Sequence, residues 1–364
     1  MILDTSALSK EDGIYFTLRD IYSKQGYSRY RLKKFEEYSL YLENMSFLPS
    51  QSIIAFNDAD GRLIALKPDV TLSIAKNTKA TSQNPEKLYY RESVYRMDKR
   101  TREYREISQA GIELIGFSDS YSTLEVILLA AQSLQAVDGD FVLNISHMGF
   151  IRGMLSDFNT ENREIAEKIT TCLSAKNCHD LAEYAAMAGI PGEKITTLTQ
   201  LISSKASFKD TIEIAKGLIS GNNTRQAVAE LEEIYDVIKD TPYANKIIPD
   251  FSIVADMSYY NGIIIRGYVR GVPKAILSGG RYDKLMARFG KNTGAVGFAI
   301  NLSEIGAYYS AKPQYDADTL LIYNQSHRPG DVLKRVNELQ KDGSSVLALQ
   351  TIPEGKRFKQ IVYM

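Results

Sequence analysis

Residues 88–117 read LYYRESVYRMDKRTREYREISQAGIELIGF, and this stretch decides the architecture. Two runs rich in aromatic and β-branched residues, around 88–97 and 107–117, flank a segment too basic to be buried. That is the pattern of two antiparallel strands joined at a solvated tip. Upstream, Ile53, Ile54 and Phe56 precede the turn Asn57-Asp58-Ala59-Asp60-Gly61, and Leu63–Leu66 follow it as a second hairpin. Pro68 ends that strand and Val70 to Lys76 opens a helix. Ser9 with Asp12 caps an N-terminal helix carrying Ile14, Leu18, Ile21 and Tyr22 and stopped by Gly26. Ser122 with Glu125 forms a second capping box, opening the apolar helix Thr123–Ala136.

Residues 158–247 differ in character. They are helical in pattern and punctuated by Asn177 with Asp180, Gly189-Ile190-Pro191 and Gly221-Asn222-Asn223. Four or five short helices are expected there, as a lobe inserted into a β-containing core. Strand signals return at Phe251–Asp256, at Ile263–Val269, and at Ala275–Leu277 after the turn Arg270–Pro273. Gly279-Gly280 leads into a short helix, and Ala295–Ile300 is a buried strand. Residues 318–350 hold one βαβ pattern. Strands joined by hairpins, with helices mostly elsewhere, predict an α+β fold around an antiparallel sheet. Two units are expected, 1–310 with its inserted helices and a short α/β segment 311–364.

Composition narrows the function. Lys plus Arg equals Asp plus Glu, 44 each, so no overall cationic field exists to grip nucleic acid or an anionic membrane. No run approaches the roughly 18 apolar residues of a spanning helix, and the N-terminus lacks signal architecture, so a cytoplasmic protein is expected. Neither GxxxxGK nor GxGxxG occurs. Cys172, Cys178 and His179 are a thin metal candidate without a second ligand pair and read as buried thiols beside a solvated histidine. His147 and His327 have no catalytic neighbour in sequence and read as structural. No cofactor or metal is expected.

Four segments carry more specific information: Leu66-Lys67-Pro68-Asp69-Val70-Thr71; Tyr95-Arg96-Met97-Asp98 with Gln109-Ala110-Gly111-Ile112-Glu113; Ser258-Tyr259-Tyr260-Asn261-Gly262; and Ser278-Gly279-Gly280-Arg281-Tyr282-Asp283 with Ala295–Ile300. In this order, with a helical insertion between the second and third, they resemble the core of histidyl-tRNA synthetase, a class II synthetase, over roughly residues 8–305. The resemblance implies a class II sheet core and a histidine pocket. In it Asp69 meets the ammonium, Glu113 accepts from the imidazole, Gln109 and Thr71 are polar supports, and Tyr260 and Tyr282 are hydroxyl-bearing walls. Gln109 and Glu113 are four apart, so on a strand they share a face. Taken singly, Asp69 reads equally as a helix cap, Glu113 as a solvated strand charge and Tyr260 as core packing.

The departures from that pattern bear on function. The family's arginine at the reacting carboxylate is replaced by Ala255, and the arginine that holds ATP is replaced by Glu304, whose charge repels a triphosphate. Losing preorganised donors of this kind costs about 10²–10³ in rate apiece. Lys33 stands where the family has a dimer-interface proline. The segment after Asp318 is short against an anticodon-binding domain, so tRNA binding is not expected. The basic loop of Arg96, Lys99, Arg100, Arg102 and Arg105 reads either as a solvated hairpin tip or as a contact for an anion or partner. A histidine pocket without the nucleotide machinery resembles the regulatory subunits of ATP phosphoribosyltransferase, non-catalytic paralogues of the synthetase. That resemblance implies the short-form catalytic subunit as partner in a hetero-octamer, and histidine as effector. A histidine-activating ligase and a synthetase-like binding module for another partner are the alternatives.

Overall fold

The computed structural model describes residues 8–48, 53–98, 101–117, 119–157, 163–204, 206–254, 259–309 and 315–364. Helix α1 (Lys10–Lys24) opens on Ser9, whose Oγ accepts the Asp12 amide at 3.1 Å, and the chain leaves it through Gly26 at φ +81°. Strands β1 (Ser28–Arg29) and β2 (Phe35–Glu37), helix α2 (Tyr38–Leu42), and strands β3 (Ala55–Asn57) and β4 (Leu63–Leu66) follow. The predicted hairpin is present as β3 and β4, and β2 joins it in a small antiparallel sheet ordered β2-β4-β3.

Next come α3 (Val70–Asn77), β5 (Glu86–Met97), β6 (Tyr104–Ile115), α4 (Ser120–Val137), β7 (Phe141–His147) and α5 (Met148–Asp157). The helical segment holds α6 (Arg163–Ala175), α7 (Cys178–Met187), α8 (Gly192–Ser203), α9 (Phe208–Lys216) and α10 (Asn222–Ile238). The core resumes with β8 (Ile247–Pro249), β9 (Ile263–Val269), β10 (Leu277–Arg281), α11 (Asp283–Arg288), β11 (Ala295–Asn301) and α12 (Leu302–Tyr309). Finally, β12 (Ala317–Ile322), α13 (Pro329–Leu339), β13 (Val346–Leu349) and β14 (Phe358–Tyr363) form a parallel sheet ordered β13-β12-β14. The chain divides into two compact units, Met1–Ala307 and Tyr308–Met364.

The eight-stranded sheet runs β1-β5-β6-β11-β10-β9-β7-β8. Its six inner strands pair antiparallel, while β1 and β8 add parallel edges. Residues Ala110, Ile112 and Leu114 of β6 face one side and are fully buried. Helix α4 supplies the apolar layer through Val126, Ile127, Ala130 and Leu134, and α1 packs beside it, joined by a 2.9 Å bond between Tyr22 and Ser133 hydroxyls. The alternate β6 residues face the other side, where the site lies.

Several expectations need correction. Helix α4 begins at Ser120, and its cap is Asp119: one carboxylate oxygen, Oδ1, accepts both the Ser122 amide and the Ser122 hydroxyl at 2.7 Å. Glu125 does not close a capping box; it binds Lys87 at 2.7 Å. A residue three positions earlier than Ser122 offered the better acceptor. Phe251–Ile253 are not a strand; the chain pairs at Ile247–Pro249 and then turns on Asp250, whose Oδ1 accepts from Ser252. Gly279 and Gly280 lie inside β10 rather than after it. The C-terminal segment is more than one βαβ unit, because Phe358–Tyr363 adds a third strand whose mostly exposed residues gave no burial pattern. Asp119→Ala should cost about 1 kcal/mol, the usual worth of a helix cap. Urea midpoints unchanged from the wild type would show that the carboxylate contributes nothing there.

Candidate functional site

Strand β6 presents Gln109, Gly111 and Glu113 to the site, and its register brings Gly297 of β11 opposite Glu113. These positions are backbone-close for a reason. A side chain at Gly297 would collide with Glu113 Oε2 and the Ile112 carbonyl, and one at Gly111 with the Phe298 carbonyl. A pocket of about 250 Å³ lies above the sheet, with Gly297 in its lining. Asp69, Thr71, Gln109, Glu113, Tyr260 and Tyr282 all line it. The structure therefore brings every residue of the predicted pocket together.

Glu113 sits at its floor, 1% exposed. Its Oε1 accepts the Thr71 hydroxyl at 2.7 Å and its Oε2 the Tyr282 hydroxyl at 2.5 Å. Burial pushes its carboxyl up to about 8; the two hydroxyl donors oppose that shift and the nearby Asp69 charge adds to it. Burial also drives the Tyr90, Tyr259, Tyr260 and Tyr282 phenols up, so they remain hydrogen-bond donors at neutral pH. The rings form one wall, with centroids 4.5 Å apart for Tyr259 and Tyr260 and 6.1 Å for Tyr259 and Tyr282.

Asp69 is a helix cap that also lines the pocket. It is the N-cap of α3, its Oδ1 accepting the Leu72 amide at 2.8 Å, and its Oδ2 lies 3.4 Å from Arg96 Nη2 at the pocket wall. Arg96 is turned inward, its Nε donating to the Pro68 carbonyl at 2.7 Å. Of the two arginines offered as partner contacts, Arg96 is thus a pocket residue, and half-exposed Arg105 pairs with Asp98 at 3.3 Å. Lys99 and Arg100 lie outside the described residues, as does Ala255. Glu304 lies in the first turn of α12, where a carboxylate suits the helix dipole, and it meets Lys274 at 3.4 Å.

Sequence reasoning did not name Phe47, Leu48 or Tyr90, which also line the pocket. Tyr90 was within reach of the strand alternation; Phe47 was not, because it arrives from the short helical turn Met45–Phe47. Among the described residues, no group of three His, Cys, Asp or Glu side chains is placed to hold a metal, and no helix is long and apolar enough to cross a membrane. The arrangement suits a compact ligand: an acid and phenol hydroxyls for N–H donors, a second carboxylate for an ammonium, and aromatic faces for a flat ring.

Residues 4–305 match the family model described as histidyl-tRNA synthetase. Over 289 residues the chain is 34% identical to the ATP phosphoribosyltransferase regulatory subunit of Thermoanaerobacter pseudethanolicus, covering 78% of this chain and 74% of that protein. The chain belongs to the histidyl-tRNA synthetase family, among the ATP phosphoribosyltransferase regulatory subunits. The Clostridium acetobutylicum regulatory subunit is 29% identical across 94% of this chain and 86% of its own length. A Bacillus halodurans structure described as an ATP phosphoribosyltransferase regulatory subunit/histidyl-tRNA synthetase shares the fold with a TM-score of 0.76 at 24% identity, covering 97% of this chain and 93% of that one. A chain of the ATP phosphoribosyl transferase (HisG:HisZ) complex of Thermotoga maritima shares it at 0.63 and 17%, covering 82% and 97%. Within this regulatory-subunit family, the class II α+β fold is the one expected from the four motif segments.

Proposed function

We propose that this chain is the non-catalytic regulatory subunit of an ATP phosphoribosyltransferase, that it joins and activates a short-form catalytic subunit, and that histidine held in the acid-and-phenol pocket transmits inhibition. One observation carries the reading. The pocket retains a buried acid, Glu113, flanked by hydroxyl donors, while the helix following β11 presents Glu304 in place of a cation. An amino acid with an N–H-bearing ring finds partners there, and Glu304, paired with Lys274, offers no cation of its own to a triphosphate. The relatives named regulatory subunits, and the Thermotoga maritima complex, support assembly with a catalytic chain. Inhibition needs two states that bind histidine unequally, and about 1–3 kcal/mol of coupling gives a 5–150-fold effect.

The test is reconstitution. Adding this chain to the short catalytic subunit of the same organism should raise phosphoribosyl transfer, and added L-histidine should lower it again. Titration calorimetry should find one histidine per pocket. The absence of any rate change on mixing ends the regulatory reading. Histidine-dependent ATP–pyrophosphate exchange by the chain alone ends the non-catalytic part.

A further inference from the structure

A second cavity of about 350 Å³ lies between α5 and α10 and shares no lining residue with the first. Helix α10 contributes Asn223, Gln226 and Glu230 from one face, and the α5 side contributes His147 and Arg152. The cavity is polar and opens to solvent past Asn223 and Gln226, and most of its charges are already matched. Arg281 Nε binds Asp283 Oδ2 at 2.8 Å, and Asn261 Nδ2 donates to the same oxygen at 3.0 Å. His147 Nδ1 accepts the Phe150 amide at 3.2 Å, which leaves the ring hydrogen on Nε2, 3.0 Å from Glu230 Oε2.

Two opposite charges are left with an unused atom. Glu230 Oε1 and Arg152 Nε are both buried and lack a hydrogen-bond partner among the described residues, though Arg152 Nη2 reaches the Asn261 carbonyl at 3.4 Å. Buried polar atoms are normally satisfied, so each of these calls for a partner. A lone anion would face Glu230 and Asp283; a lone cation would face Arg152 and Arg281. A molecule carrying both charges meets neither objection. We propose that this cavity is a second binding site, for a small polar α-amino acid bound as its zwitterion, with its carboxylate on Arg152 and its ammonium on Glu230. Asn223 and Gln226 then face the ligand side chain, which favours a polar one.

The test uses calorimetry on the full chain with glycine, L-serine, L-asparagine and L-glutamine, and with lactate and ethanolamine as probes lacking one charge. At least one amino acid should bind saturably, one per chain, and should still bind when the first pocket carries Glu113→Gln. Arg152→Gln and Glu230→Gln should each weaken it by about tenfold or more, the loss of a charge-assisted bond. Gln226→Trp, at an exposed position on α10, should block entry without touching the core. Lactate and ethanolamine should fail. The proposal is overturned if no amino acid binds, if lactate binds as well as the amino acids, or if binding is indifferent to folded Arg152, Glu230 and Gln226 variants.

Discussion

Glu113→Gln should make the empty protein more stable at alkaline pH while weakening the first pocket. The folded carboxyl titrates near 8, against an ordinary value of 4.5, because burial disfavours its charge. The folded state therefore holds this proton more tightly than the unfolded state does. Its contribution is fully present below pH 4.5 and is lost as pH rises through about 8. Glutamine has no proton to lose, so wild type and variant should match near pH 4 and diverge above it. At about 1.4 kcal/mol per pKa unit, the divergence is bounded at roughly 5 kcal/mol by pH 8–9. Urea unfolding at pH 5, 7 and 8.5 measures it directly, and parallel curves would refute the buried-acid argument. The same substitution should weaken histidine binding at neutral pH by about 2–10-fold, the worth of one hydrogen bond to a protonated acid, and leave assembly with the catalytic subunit intact. Stability gained together with binding weakened is the signature of a group kept for recognition.

A second large effect is expected at Glu92. Lys67, only 1% exposed, places its ammonium 2.7 Å from Glu92 Oε2 and 3.3 Å from the Lys33 carbonyl, while Glu92 Oε1 accepts the Leu32 amide at 3.1 Å. Glu92→Ala strands a buried cation and a backbone donor together, a change that costs about 3–5 kcal/mol. The pair itself is worth less than its breakage suggests. Lys67→Met with Glu92→Gln removes both charges and keeps an acceptor for Leu32, so most of the loss should be recovered. A double-mutant cycle followed by thermal unfolding separates the two. Lys67 directly precedes Pro68 and Asp69, and its carbonyl accepts the Tyr95 amide at 2.9 Å, so Glu92→Ala should also weaken ligand binding in the first pocket. A single substitution that leaves stability within 1 kcal/mol of wild type would refute the stranded-charge account.

Local chemistry explains which parts of the molecule could be read in advance. Strand β6 announced itself because Ala110, Ile112 and Leu114 leave one of its faces apolar, and β5 did so through its aromatic and β-branched content. The pocket residues were legible through the resemblance of four segments to the synthetase core; the strand face shared by Gln109 and Glu113 agrees with it, but taken singly these residues read as a cap, a strand charge or core packing. The edges were not legible. Strands β1 and β8 are two and three residues long and pair parallel to distant segments, so nothing local marks them. β14 is mostly exposed, and its pairing with β12 is fixed by the sheet rather than by its own pattern. Asp119 displaced Ser122 as a helix cap because two neighbouring residues were both good acceptors, and composition does not rank them. The inward turn of Arg96 depends on the Pro68 carbonyl, 28 positions away.

The close approach of β11 to β6 holds position 297 to glycine whatever becomes of the acid. A side chain there meets the Ile112 carbonyl as well as Glu113 Oε2, so shortening residue 113 removes one obstacle and leaves the backbone one. Drift at 297 therefore waits on a local shift of the two strands, and a descendant can lose the acid while keeping the glycine.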